Sequence, residues 1–432
     1  MYAANVPRVL PPLTDNPIDN FDLDAFGFRP YIESLDTLVA AAQRLPLTIG
    51  VFGSWGTGKS SFLAMWENHM NDRDPGTQTL RFNPWKYDQK VDVWAALIQS
   101  LLAKLKENQR LAEATTQLAR HITWLLLRGG LSKAGNLATG GIFGQATFEK
   151  ALDVIADRDA EFCKFINTFE ATFEQAVSDF VGEDGRLVVF VDDLDRCTPE
   201  ASLAVLEALK LFIGDARCVF VIAMDFDVVV SAAESRFTQH PPLTGSAYLE
   251  KIIQIPFFLP SVSFETLKTS LLPQVGELAK SDEFWEIVQI GLGANPRRVR
   301  RYINVLNLAM VTQGLTCVSL DDLHKVLQFA ELLIIRSEHR EFFRYLTTHP
   351  DAWRRLEEAV QPLKDAAGET TIDRQKVGPD LAHFAEDPAL VRLLGTKPKA
   401  FLSGHPVAPD GFVTERMLST VQAVAGPLED GS

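Results

Sequence analysis

The sequence predicts an α/β protein with a mostly parallel β-sheet flanked by helices. Short β-branched and apolar runs alternate with segments of helical periodicity in the first half of the chain, which is typical of parallel sheets. Two of the apolar runs end in aspartate, as buried strands do when they deliver an acid to their carboxyl ends. A glycine-rich loop joins the first strand to a helix. Ligands of open α/β sheets bind at that edge, so we expect the functional site there.

The chain begins with a proline-rich stretch. Residues 1–30 contain five prolines and scattered aspartates, and we predict a mostly extended N-terminal arm. A helix is predicted to follow, with Tyr31, Leu35, Leu38 and Val39 turned inward. This helix leads the chain into the first strand.

The loop after the first predicted strand has the pattern G-x-x-x-x-G-K-S. The strand is the apolar run up to Phe52, and a helical pattern begins directly after the loop, which is the context of a phosphate-binding loop (P-loop). Glycines let backbone N–H groups turn onto anionic oxygens, and the helix dipole adds to the attraction. Lys59 then reaches the β- and γ-phosphates while the Ser60 hydroxyl coordinates Mg²⁺. The predicted nucleotide-binding residues here are Gly53, Ser54, Trp55, Gly56, Thr57, Gly58, Lys59, Ser60 and Ser61.

A second strand and an insertion follow. The strand is predicted from Thr79 to Trp85, and a helix with apolar residues at helical spacing comes next. Between 106 and 180, helical segments surround a glycine-rich stretch at 128–144, so we predict a helical insertion with a flexible loop. Phenylalanines near its end recur in steps of three and four residues, which favours a packed helix over a cofactor site.

An acidic sequence ends the next predicted strand. The apolar run that starts at Arg186 leads to Asp192, Asp193 and, two positions later, Asp195. Asp192 is the candidate to hold Mg²⁺ opposite Ser60, and Asp193 the candidate to orient or deprotonate the attacking water. The alternative for Asp193 and Asp195 is that they only cap the helix that follows.

Two more strands complete the predicted sheet. One leads from Cys218 to Asp225, an acid that can sense the γ-phosphate or cap the next helix, and the sequence leaves both alternatives open. The last strand contains Pro256, which predicts an edge position because proline cannot donate a ladder hydrogen bond.

Four arginines cluster at the start of a predicted helix after Pro296. Helical spacing places Arg297, Arg300 and Arg301 on one face. Three interpretations compete: contact with a nucleotide phosphate, a nucleic-acid patch and a solvated face. We favour phosphate contact, because guanidinium groups suit phosphate and the acidity of the chain disfavours nucleic acid.

The bulk composition limits the function classes. The chain has 432 residues and a net charge of −14, from 42 Lys and Arg against 56 Asp and Glu, which argues against a surface devoted to nucleic acid. The four cysteines lie far apart, so a reduced compartment without a structural metal fits best. The N-terminus lacks a signal-peptide pattern, and no apolar run approaches the about 20 residues of a membrane helix. We expect a cytoplasmic protein without a membrane span.

Five motifs in order resemble the KAP family of P-loop NTPases. They are G-S-W-G-T-G-K-S at 53–60, F-N-P-W-K-Y-D at 82–88, V-F-V-D-D-L-D-R-C at 189–197, Y-L-E-K-I-I-Q-I at 248–255 and N-P-R-R-V-R-R-Y-I-N at 295–304. The resemblance implies an ATPase of the additional-strand branch of P-loop proteins, and some bacterial members are linked to exclusion of bacteriophage. Many members carry transmembrane helices between the nucleotide motifs, where this chain has the glycine-rich insertion. The resemblance also makes Arg297 a candidate sensor arginine that closes over the γ-phosphate.

The predicted organisation has five parts. They are the arm at 1–30, a P-loop NTPase core at 31–105 and 181–260, the helical insertion at 106–180, a helical lid with the sensor-like arginines at 261–315, and a helical region at 316–432. The last region offers no recognisable catalytic pattern.

The expected function is Mg²⁺-dependent ATP hydrolysis coupled to a conformational or assembly change, with bacterial anti-phage defence as its setting. The expected ligands are ATP and Mg²⁺, and the expected partner is a second copy of the chain or an effector protein encoded nearby. ATP is expected rather than GTP because the sequence lacks an N-K-x-D motif. One alternative is a nucleotide-gated scaffold that docks an effector with little turnover. A weaker alternative is an ATP-dependent nucleic-acid sensor or motor that works through the arginines.

Overall fold

The chain forms two compact units. The computed structural model describes residues 11–74, 76–87, 93–108, 111, 113–119, 159–182, 185–212, 216–237, 245–315, 320–361, 371–396 and 415–426. The unit that we name the core unit spans Pro17–Ser261, and the helical unit comprises Met1–Asn16 and Val262–Ser432. The domain boundaries expected from the sequence, including those of the arm at 1–30, stay a prediction.

A five-stranded parallel sheet forms the centre of the core unit. Its strands are β1 (Leu47–Phe52), β2 (Thr77–Phe82), β3 (Arg186–Val191), β4 (Cys218–Met224) and β5 (Ile255–Phe258). Their order is β2-β3-β4-β1-β5, and every neighbouring pair is parallel. The predicted α/β fold with a mostly parallel sheet is confirmed, and β5 lies at an edge as Pro256 predicts.

Helices cover both faces of this sheet. On one face pack α1 (Arg29–Ala41) and α2 (Lys59–Arg73). On the other pack α3 (Val93–Lys106), α4 (Asp159–Val181), α5 (Pro199–Phe212), α6 (Phe226–Phe237) and α7 (Gly245–Glu250). Alternate residues of β3 enter opposite layers, Val188 and Phe190 on the side of α2 and Val189 on the other. Strands buried on both faces are continuous apolar runs, which is why β3 and β4 were recognisable in the sequence.

Helix α1 buries a different stripe from the predicted one. Leu35 and Val39 are buried as expected, and Ile32 joins them. Tyr31 and Leu38 are instead 42% and 52% exposed, so the prediction that these two side chains turn inward is wrong. Two overlapping apolar stripes were available on this helix, and packing against α2 selects the one that contains Ile32.

Helix α4 lies at the C-terminal end of the predicted insertion. Phe169 and Phe173 are each 2% exposed, and their rings stack 6.1 Å apart. The phenylalanine spacing therefore marks a packed helix, as predicted. The glycine-rich loop expected at 128–144 lies outside the described residues.

The helical unit is built around one long helix. Its helices are α8 (Phe264–Leu271), α9 (Asp282–Leu292), α10 (Pro296–Gln313), α11 (Leu320–Glu338), α12 (Arg340–Thr348), α13 (Ala352–Ala359), α14 (Pro388–Leu394) and α15 (Glu415–Ala425). Helix α11 is central and packs against α9, α10, α12, α14 and α15. Strands β6 (Val360–Gln361) and β7 (Thr371–Ile372) form a small antiparallel pair. In the described part of the chain, no helix is both long and apolar enough to span a membrane.

Candidate functional site

The loop between β1 and α2 is a backbone cradle. Gly56 and Gly58 have φ angles of 86° and 103°, a region that favours glycine. A Cβ atom added to Gly53 would lie 2.8 Å from the Thr57 hydroxyl, and one added to Gly58 would lie 3.1 Å from the Phe28 ring. The N-cap of α2 is Gly58, which has no side chain to bond the first N–H groups of the helix. The loop and helix start thus have the form that binds an anionic phosphate.

The Lys59 side chain lies inside this loop. Its ammonium group donates to the carbonyl of Gly53 at 2.6 Å and to that of Ser54 at 3.3 Å. It also pairs with Asp195, with 3.1 Å between Nζ and Oδ2. The residue is only 8% exposed, so its charge stays close to the loop. The helix-cap alternative for Asp195 receives no support, since the Thr198 hydroxyl accepts the N–H of Ala201 at the start of α5.

Ser60 and Asp192 lie side by side. The Ser60 hydroxyl donates to Asp192 Oδ1 at 3.0 Å, although 132 positions separate the two residues. Asp192 follows β3 and is 5% exposed. A hydroxyl and a carboxylate oxygen are ligands that Mg²⁺ accepts in nucleotide sites. These two residues therefore fit the metal expected from the sequence.

Arg81 of β2 is a site residue that the sequence analysis missed. Its guanidinium donates to Asp192 Oδ2 at 2.9 Å and to the backbone carbonyl of Ser60 at 3.0 Å. The available signal was a charged residue in a strand, directly before the F-N-P-W motif. Such a residue needs a partner when its strand packs in a sheet, and the neighbouring strand β3 supplies Asp192.

Asp193 has an unusual backbone and two side-chain partners. Its φ is 59°, the only positive φ of a non-glycine residue in the described part of the chain. Asn83 donates to Oδ2 at 2.8 Å, and Arg196 pairs with Oδ1 at 2.7 Å. Burial raises the pKa of Asp193, and the negative charge of Asp192 adds to the rise, while Arg196 and Asn83 oppose it. Its side chain thus bonds to Asn83 and Arg196, not to the start of α5.

The F-N-P-W motif contacts the acidic motif at another point. The Arg196 guanidinium lies 5.3 Å from the centroid of the Trp85 ring, a cation–π distance. Trp85 itself is 52% exposed. Side chains that follow β2 therefore contact side chains that follow β3.

Asp225 follows β4, which lies between β1 and β3 in the sheet. Its carboxylate accepts the N–H of Asp227 at 3.2 Å, at the start of α6. The capping alternative is thus realised, and a contact between Asp225 and the γ-phosphate stays a prediction.

Arg297 belongs to the helical unit, in the first turn of α10. The Asn295 side chain caps this helix by accepting the N–H of Arg297 and Arg298. Arg297 pairs with Asp15 at 3.1 Å, and Arg298 pairs with Glu338 at 2.5 Å. Val299, Ile303 and Leu306 are buried as their spacing predicts. A contact between Arg297 and a nucleotide stays a prediction.

An N-terminal segment lies on the same helix. Leu13 exchanges two hydrogen bonds of 2.8 Å with the Asn304 side chain, and Arg300 donates to the carbonyl of Thr14 at 3.2 Å. Three of the four clustered arginines thus have partners inside the helical unit. These contacts reduce the support for a nucleic-acid patch.

Known proteins share parts of this sequence. The family model described as the KAP family P-loop domain matches residues 28–311. The phage T7 exclusion protein of Escherichia coli (strain K12) is 22% identical over 273 residues, which cover 57% of this chain and 34% of that protein. The chain therefore matches about a third of the length of this curated relative.

Three solved structures are similar at low identity. Domain III of the Thermotoga maritima replication initiation protein DnaA is 14% identical with a TM-score of 0.34, covering 72% of this chain and 97% of that chain. The Aeropyrum pernix ORC1 protein in complex with DNA is 11% identical with a TM-score of 0.37, covering 92% and 81%. The Aeropyrum pernix ORC2 protein is 14% identical with a TM-score of 0.40, covering 96% and 98%. TM-scores this low support no conclusion about this chain.

The family match includes both motifs that form the site. It spans the loop after β1 and the acids after β3, and it extends over more than half of the 432 residues. The chain belongs to the KAP family of P-loop NTPases.

Proposed function

We propose that the protein binds ATP together with Mg²⁺ and hydrolyses it, and that turnover drives a conformational or assembly change. The observation that carries this proposal is the hydrogen bond between Ser60 and Asp192 at 3.0 Å, beside a buried Lys59. It joins the P-loop to the acid motif at the carboxyl edge of the sheet, where nucleotide chemistry occurs in open α/β folds.

Each residue has a proposed role. Lys59 exchanges its pairing with Asp195 for the β- and γ-phosphates and neutralises their charge. Ser60 and Asp192 hold Mg²⁺, which when bound supplies positive charge to the phosphate oxygens. Arg297, which lies inside the family match, closes over the γ-phosphate.

Asp193 is the proposed base. The attacking water gives one proton to the Asp193 carboxylate as its oxygen bonds to the γ-phosphorus. The bond from phosphorus to the ADP oxygen breaks and leaves its electron pair on ADP. Burial raises the pKa of Asp193, and this increases its basicity toward the range useful near neutral pH.

Anti-phage defence is the proposed setting. The support is the matching E. coli protein, whose name describes exclusion of phage T7. We propose that the partner is a second copy of this chain or an effector protein encoded nearby. Measuring the mass of the protein in solution, with and without ATP and Mg²⁺, tests for the second copy.

The first test is steady-state ATP turnover of Lys59→Ala beside wild type. We expect a loss of at least about 100-fold, because the variant removes the charge that offsets the phosphates. Lys106→Ala is the control, since Lys106 is an exposed lysine of α3 in the same unit. Equal turnover in wild type and Lys59→Ala would contradict hydrolysis at this site.

The alternative is a nucleotide-gated scaffold with little turnover. One observation favours it: protein groups already engage both oxygens of Asp193 and the Lys59 ammonium. Such a site can retain a nucleotide without hydrolysing it. In a single-turnover experiment, bound ATP that stays intact over many minutes would favour the scaffold, and its prompt conversion to ADP would favour the enzyme.

A further inference from the structure

The residues that follow β2 have no role in the proposed chemistry so far, yet two of them contact the acid motif, as does Arg81 within the strand. Strands β2 and β3 pair in parallel, with Phe82 opposite Val191. The residues after each strand therefore lie side by side. Arg81 contacts Asp192, Asn83 contacts Asp193, and Trp85 contacts Arg196.

The orientation of the Asn83 amide follows from its partner. A carboxylate only accepts hydrogen bonds, so the NH₂ group of Asn83 must face Asp193, as it does at 2.8 Å. The amide oxygen then points away from that carboxylate. This Oδ1 atom is buried and has no hydrogen-bond partner among the residues that the structure describes. A buried acceptor left unbonded is energetically unfavourable, which indicates that a ligand or water completes it.

Arg196 holds the other side of the same carboxylate. Its Nη2 pairs with Asp193 Oδ1 at 2.7 Å. Asp192 and Asp195 are the other acids of this motif. Their own cation partners are Arg81 and Lys59, and Arg196 is the cation that pairs with Asp193. The Trp85 ring over its guanidinium restricts where it can move.

We propose that Asn83 binds the attacking water through its amide oxygen while Asp193 accepts the proton, and that Arg196 is a positioning residue that holds Asp193 for this step. A water molecule has two protons, so one can go to the base while the other stays hydrogen-bonded to the Asn83 oxygen. The water's lone pair is then directed away from both groups. This inference rests on the proposed hydrolysis and assigns a role to the F-N-P-W motif.

The test measures kcat, and ATP affinity by equilibrium binding, in Asn83→Ala, Arg196→Gln and Arg196→Lys. Arg196→Gln removes the guanidinium that pairs with Asp193 Oδ1. We expect it to lower kcat by about tenfold or more while ATP affinity changes less than about threefold. Arg196→Lys should recover part of kcat, because it keeps a positive charge beside Asp193.

Asn83→Ala should lower kcat by about 10- to 100-fold, while ATP affinity changes less than about threefold. Arg73→Gln is the matched control. It breaks an ion pair between Arg73 and the buried Asp36, at 2.6 Å in the same unit, and should leave kcat and ATP affinity near the wild-type values.

Several outcomes separate this inference from the proposed function. If Arg196→Gln loses ATP affinity in the same proportion as kcat, or if Arg196→Lys recovers no kcat, Arg196 is merely structural and the positioning role is overturned. Full kcat in Asn83→Ala would overturn the water-binding role. Asp193→Asn is the reference variant: if it turns over like wild type, the proposed base itself is wrong. If Arg196→Gln fails to fold, Arg196→Lys and Asn83→Ala decide the question alone.

Discussion

The two units place candidate residues in different ways. In the core unit, Asp192 and Lys59 lie at the ends of a buried strand and a helix, and are 5% and 8% exposed. In the helical unit, Arg297 lies on a helix surface, in an ion pair whose side chains are 28% and 33% exposed. Hydrogen bonds between strands fix the position of each strand end. The side chains at that end are therefore in place before any ligand binds. Partly exposed ion pairs contribute little to stability, so the position of such an arginine depends more on its environment.

Buried acids differ between the units as well. In the core unit, Asp192 has Arg81 and Asp195 has Lys59 as cation partners. In the helical unit, burial raises the pKa of Glu331 well above its ordinary value, the charge of Glu357 adds to the rise, and a hydrogen bond with Thr396 opposes it. The two core acids are thus paired with cations, whereas burial favours the neutral form of Glu331.

The largest expected effect comes from Asp192→Asn. We expect ATP turnover to fall by at least about 100-fold and the Mg²⁺ requirement to rise, because an amide replaces the carboxylate that we propose as a metal ligand. A Mg²⁺ titration of turnover measures both. The control is Asp227→Asn, which changes an exposed aspartate in the first turn of α6. An unchanged Mg²⁺ requirement would show that Asp192 does not hold the metal. The proposed contrast between a preformed site in the core unit and Arg297 in the helical unit would then lose its basis.

A smaller effect is expected from Arg297→Ala. If Arg297 closes over the γ-phosphate, kcat should fall by about 10-fold or more, since it stabilises charge in the transition state. Arg298→Ala is the matched control, because Arg298 follows it on α10 and pairs with Glu338. Equal kcat in the two variants would show that Arg297 takes no part in the chemistry. The proposed chemistry would then involve residues of the core unit alone.

The smallest effect concerns stability and pH. Glu331 has a pKa in the folded state above that of the unfolded chain, so its stabilising contribution is full below the ordinary glutamate pKa and is lost as pH rises toward the raised value. Glu331→Gln cannot ionise and keeps the ability to bond to Thr396. We therefore expect the difference in Tm between pH 5 and pH 8 to shrink by about a few degrees.

Glu358→Gln is the control for this measurement, because the Glu358 side chain of α13 is 68% exposed. Hydrogen exchange over α11 reports on the same unit directly. An identical pH dependence of Tm in wild type and Glu331→Gln would show that Glu331 is ionised in the folded state. The contrast between the buried acids of the two units would then disappear.

The sequence predicted the site residues that directly follow the buried strands. Apolar runs that lead to Asp192 and Asp225 indicated both the strands and their functional edge, because burial on both faces imposes a continuous apolar pattern. Arg81 and Asn83 could not be found in this way. Their importance depends on the pairing of β2 with β3, and neither strand's own pattern identifies its neighbour.

Other errors have the same origin in tertiary structure. The apolar pattern of α1 allowed two stripes, and only contact with α2 decides that Ile32 is buried while Tyr31 is exposed. Asp36 is buried in that stripe because Arg73 of α2 pairs with it, a partner 37 positions away along the printed sequence. The helical unit was predicted only as helices, since packed helices do not concentrate polar groups at one edge as a parallel sheet does.

The contacts of Leu13 with Asn304 have a practical consequence for dissecting the protein. The helical unit is discontinuous, because the chain leaves it after Asn16 and returns at Val262. A fragment of residues 17–261 contains the complete core unit in one stretch. A fragment that starts at Val262 lacks Leu13, and Asn304 then loses two hydrogen bonds. A separately expressed helical unit therefore keeps these two bonds if residues 11–16 are joined to residue 262 by a linker.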